Sequence, residues 1–88
     1  MKKIQILGKE YKVQYVDANA LGGAYGDCCT KKAYIRINKE NTKQHQEDTL
    51  LHEVVHIISD EMGLELTESQ VRRLATVLYS IGVLERVS

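Results

Sequence analysis

Proline is absent from the 88 residues, no segment repeats and no low-complexity tract interrupts them. Nothing marks an internal boundary, so residues 1–88 are read as one domain. Cysteine is nearly absent as well: Cys28 and Cys29 are neighbours and cannot staple distant segments, which points to a reduced compartment. Their adjacency also departs from the gap of about two to four residues that lets two thiolates converge on one metal. Net charge is missing too, with Lys and Arg numbering 12 against 12 Asp and Glu. That balance removes the broad attraction on which nucleic acid or an anionic membrane would draw, and neither partner is expected. No apolar run approaches the roughly 18 to 20 residues that span a bilayer, and Met1-Lys2-Lys3 leads into alternation instead of a signal-peptide apolar block. The expectation is a soluble, cytoplasmic protein. A chain this short buries only roughly 60 to 65% of the surface its unfolded form exposes, so a bound metal would be a useful staple for a thin core.

Two periodicities divide the chain. Ile4 and Ile6 alternate with polar neighbours, and after Gly8-Lys9 the residues Tyr11, Val13 and Tyr15 alternate again, which is a hairpin signal. Leu21 to Gly26 reads as a flexible, glycine-rich connection. A short strand over Gly26 to Thr30, a turn at Lys31-Lys32 and a strand over Ala33 to Ile37 complete three or four antiparallel strands. From Asn41 the period becomes helical. Asn41 and Gln44 resemble a capping box, Leu51, Val54, Val55, Ile58 and Met62 follow at helical spacing, and Gly63 stops the helix. A second helix starts at Thr67 with Gln70 as its capping partner, and Val71, Leu74, Ala75, Leu78 and Ile81 form its apolar stripe. Residues beyond Gly82 are expected to fray. The fold class is α+β, a small antiparallel sheet followed by two packed helices.

Within Leu50 to Ile58, apolar residues surround the first helix on nearly every side, and only His52, Glu53 and His56 interrupt them. Buried polar groups need partners, because each one left unpaired costs about 1 to 3 kcal/mol. Histidines at i and i+4 lie one turn apart on one face, so both imidazoles reach a single zinc ion. Glu53, offset by one residue, flanks the metal and is placed to take a proton from a zinc-bound water and pass it to a leaving amine. The bland alternative is a pair of core histidines satisfied by backbone carbonyls, with a surface glutamate between them.

Catalytic zinc needs a third protein ligand, and Glu68 is the candidate: it precedes Val71 by three residues and Ala75 by seven, on the apolar stripe of the second helix. The competing view makes Glu68 a first-turn glutamate favoured by the helix dipole. Glu65, between Leu64 and Leu66, points outward if those two point inward. Asp60 is on the histidine face, but three residues in a straight row cannot converge on one ion, leaving it at most an outer hydrogen bond to His56. His45 lies about 10 Å from His52 along the axis and reads as a surface residue. Tyr25, Tyr34 and Tyr79 receive no role.

The stretch Thr49 to His56 and the stretch Leu66 to Ala75 resemble the gluzincin class of zincin metallopeptidases. Within that class the chain is similar to the very small phage- and mobile-element-associated proteins related to the ImmA/IrrE metallopeptidases, and to the minigluzincins. Glu68, Val71, Leu74 and Ala75 match the spacing of the E-x-x-A-x-x-F-A pattern, while Arg72 stands where these families often carry an aspartate. The resemblance implies a minimal zincin-like fold, a Zn2+ cofactor held by His52, His56 and Glu68, and Glu53 as general base. It implies a protein or extended-peptide substrate laid along a sheet edge drawn from the strands between Gly26 and Ile37. Two other readings stand beside the peptidase. One is a non-catalytic, zinc-stapled regulatory or binding protein; the other is a nucleic-acid-associated protease of the SprT kind, which would need a basic face.

Overall fold

The computed structural model describes the backbone of residues 2–86. Strands β1 (Lys2–Ile6) and β2 (Lys9–Val16) form the expected hairpin, Ile4 facing Tyr11 in register. Its two turn residues are Leu7 and Gly8, one position before the expected pair, and both have positive φ (52° and 80°), as a tight hairpin turn matched to strand twist requires. Strand β3 (Gly26–Cys29) and strand β4 (Tyr34–Asn38) follow, then helix α1 (Lys43–Met62) and helix α2 (Glu68–Ser80).

The sheet is mixed and not antiparallel throughout. Its order is β1-β2-β4-β3, and β2 runs parallel to β4, with Val13 beside Ile35. The physical reason lies in the connection after β2. It carries a short 3-10 turn over Ala18–Leu21 and delivers β3 to the far edge, so that β4, returning antiparallel to β3, slots in beside β2. Sequential strands read as hairpins would have missed that crossing.

Helix α1 is covered on two sides. Leu50, Val54 and Ile57 pack on the sheet with Tyr11, Val13, Ile35 and Ile37, while Leu51 and Val55 pack against Val71 and Ala75 of α2. The cap of α1 is Thr42, whose hydroxyl accepts from the His45 N–H, one residue beyond the expected Asn41. Gly63 closes the helix in the left-handed conformation (φ 64°), and the Thr67–Gln70 capping box of α2 is formed in both directions. The α2 stripe is narrower than its spacing suggests. Val71 and Ala75 are buried and Leu78 half-buried, but Leu74 and Ile81 are 45% and 63% exposed, because α1 and the turn over Val83–Arg86 pack on the Val71–Ala75 face of this helix. Val83–Arg86 form a 3-10 turn where fraying was expected, and residues 87 and 88 lie outside the described residues. Among the described residues, no helix is long and apolar enough to cross a membrane.

Candidate metal centre

The side of α1 left open by the sheet and α2 carries His52 and His56. Their Nε2 atoms lie 3.1 Å apart, and Glu68, at the first turn of α2, sets Oε1 2.6 Å from His52 Nε2 and Oε2 3.2 Å from His56 Nε2. Gly63 and the Leu64–Thr67 connection bring the two helices together at this point, aided by the Leu66 N–H bonded to Ser59 Oγ. One ligand atom from each of the three residues falls within 4.8 Å of the others. Around a tetrahedral ion with bonds of about 2.0 to 2.1 Å, neighbouring ligand atoms are separated by about 3.3 Å, so this cluster has the span such an ion requires. Its chemistry fits as well. Two imidazole nitrogens and a carboxylate directed at one another are mutually repelling acceptors unless protons or a cation lie between them, and two histidines with a glutamate form a known catalytic zinc set.

Glu68 is on the rim, not in the core, with its side chain 57% exposed. Partial burial opposes its ionisation, but His56 and His52 outweigh that and hold its carboxyl below the usual value. Glu53 is different: it is buried, and burial pushes its carboxyl above the ordinary range, against the Cys28 thiol and the two imidazoles, which favour the charged form. Cys28 lies on β3 facing Glu53. Burial and the adjacent carboxylate push its thiol up to about 12. Gly26, two residues earlier on the same face, has no room for a side chain: a Cβ there would meet Thr49 Cγ2 at 2.7 Å and the Arg36 carbonyl oxygen at 2.8 Å.

Strand β3 is a sheet edge. The Asn38 N–H bonded to the Tyr25 carbonyl at 2.9 Å sets the phase of the β3–β4 ladder. By the alternation of antiparallel pairing, the main-chain groups of Gly26 and Cys28 point away from β4, to the free edge. A groove of about 760 Å³ follows this strand from Gly26 to Lys31 and is bordered by His52, His56 and Asp60. A smaller depression of about 320 Å³, lined by Tyr25, His45, Asp48 and Arg72, meets it at His52, Glu53 and Glu68.

The residues put aside on sequence grounds fall as follows. Glu65 is exposed, at a left-handed backbone position (φ 55°) away from the cluster. Asp60 accepts from Thr30 Oγ1 at 3.1 Å, tying the helix to the end of β3, and among the described hydrogen bonds it makes none to His56. His45 is half-buried, its ring in edge contact with that of Tyr25 at 4.4 Å. Cys28 and Gly26 escaped the sequence reading: strand alternation places them on one face but does not reveal that this face meets Glu53.

Comparison with protein-family models, with curated proteins and with solved structures found no match to this chain.

Proposed function

We propose that the chain is a zinc-dependent peptidase acting on extended protein or peptide segments. One observation carries this reading: a carboxylate from a second helix meets the paired imidazoles of His52 and His56, with the buried carboxyl of Glu53 one position away. His52, His56 and Glu68 would hold the ion, whose contribution would be that of a Lewis acid that brings the pKa of a water to about 7 and polarises a carbonyl. Glu53 supplies the proton acceptor. Its buried carboxyl, one position from the imidazoles, is placed to accept a proton from a water and return it to a leaving amine. The Gly26 and Cys28 main-chain groups at the free edge of β3 offer pairing to an extended peptide, which aligns backbone without selecting side chains.

Glu53→Gln tests the assignment, since it removes the acceptor at nearly constant shape. Zinc content and fold are expected to persist while cleavage of an unstructured protein falls by about 10²- to 10⁴-fold. Equal cleavage by variant and parent would reject the role of Glu53.

The second reading is a non-catalytic binding protein in which zinc clamps α2 to α1. It is favoured by the narrow seam between the helices, where Val71 and Ala75 are the buried residues of α2. It gives no reason for a buried glutamate beside the imidazoles, and under it Glu53→Gln alters no catalytic rate.

A further inference from the structure

Glu68 and Arg72 are four residues apart on α2, in the order that ordinarily pairs along a helix face. Here Glu68 is turned onto the two histidines, and among the described residues Arg72 belongs to no ion pair. Arg72 is exposed and lines the smaller depression, which opens directly onto His52, Glu53 and Glu68. The edge-packed rings of Tyr25 and His45 wall the same depression. Three carboxylates share this lining with Arg72: Glu53 is buried, Glu68 is turned onto the two histidines, and Asp48 sits on a rim shared with the neighbouring hollow beside Tyr79.

We propose that this depression is a subsite for a substrate carboxylate, anchored by Arg72 next to the bond that is cleaved. The planar guanidinium fork takes a carboxylate through two parallel hydrogen bonds. That carboxylate comes either from the C terminus of a peptide or from an Asp or Glu side chain. The position beside the scissile bond rests on the peptidase reading; the capture of the carboxylate does not.

The test uses zinc-loaded Glu53→Gln protein, so that probes remain intact, and fluorescent alanine-rich peptides carrying one Glu, Gln or Lys, each with a free or amidated C terminus. The carboxylate-bearing member of a pair is expected to bind about three- to tenfold more tightly than its neutral counterpart. Adding Arg72→Gln abolishes the preference with zinc content unchanged. A preference confined to free C termini identifies the terminal carboxylate, and one confined to internal Glu identifies the side chain. A preference that survives Arg72→Gln, equal binding of acidic and neutral peptides, tighter binding of the Lys peptides, or no binding at all would each overturn the proposal. Cleavage by the chain with Glu53 intact is read separately. Bound peptides that stay whole reject the peptidase and leave the subsite standing, whereas Arg72→Gln raising KM with kcat nearly unchanged supports both.

Discussion

Replacing Gly26 by Ala isolates the contact that sets β3 against α1. The backbone of Gly26 is extended and carries no left-handed requirement. An alanine at such a position ordinarily stabilises by about 0.4 to 1 kcal/mol, because it restricts the unfolded chain. Sterics reverse the sign here. The new Cβ would sit 2.7 Å from Thr49 Cγ2 and 2.8 Å from the Arg36 carbonyl oxygen, well inside ordinary contact. Thr49 is buried in α1, and the carbonyl belongs to the neighbouring strand, so neither yields without moving its element. Overpacking of this kind costs about 1 to 3 kcal/mol. For a domain of this size each kcal/mol is about 4 to 8 °C in Tm, so Gly26→Ala is expected to melt roughly 4 to 24 °C below the parent. Thr49→Ala in the same chain removes one of the two clashes and should restore part of the loss, leaving the carbonyl contact. Urea and thermal unfolding of the single and double variants read this directly. A Gly26→Ala protein as stable as the parent, or more so, would refute the placement of β3 against Thr49.

Zinc should raise the melting temperature of the parent chain, by about 2.7 kcal/mol of added stability at a free concentration one hundred times Kd, and His52→Ala or His56→Ala should abolish the response. Chelator-treated and zinc-loaded melting curves that superimpose would reject the metal linkage. Glu68→Gln should weaken zinc affinity while Glu65→Gln leaves it unchanged; isothermal titration giving parent-like affinity for Glu68→Gln would remove Glu68 from the ligand set. Cys28, with its thiol pushed up to about 12, stays protonated in the folded chain where the unfolded chain begins to ionise near pH 9. The folded state then binds the extra proton, so its contribution to stability is present below about pH 9 and is lost as pH rises towards 12. Native Cys28 should alkylate slowly at pH 8 and faster once urea unfolds the chain, and rapid native labelling mapped to Cys28 would contradict its burial against Glu53.

Local chemistry determined the elements. Alternation in Ile4, Ile6, Tyr11 and Val13 specified a hairpin, and the helical recurrence through Leu51, Val54 and Val55 with Gly63 after it specified where α1 stops, because both patterns act over a few residues of backbone geometry. The His52–His56 spacing was legible for the same reason: a helix places i and i+4 on one face. Burial on two sides of α1 was legible from its nearly continuous apolar surround.

Everything that depends on which elements meet was decided in three dimensions. The parallel pairing of β2 with β4 follows from the path of the chain after Val16, which no alternation encodes. The sequence pointed to Asn41 as the cap of α1, and the last turn before the helix presents the hydroxyl of Thr42 instead. The exposure of Leu74 and Ile81 was illegible because their spacing suits a buried stripe, and they stay in water because α1 and the turn over Val83–Arg86 meet the Val71–Ala75 face instead. Glu68 illustrates the boundary between the two levels. Its place on α2 was visible in the spacing to Val71 and Ala75, yet its two short contacts to His52 and His56 exist because the Gly63 turn folds one helix back upon the other. Gly26 and Cys28 acquire their roles only when the edge strand is laid against α1, since a strand's period separates two faces without saying which of them a helix will cover.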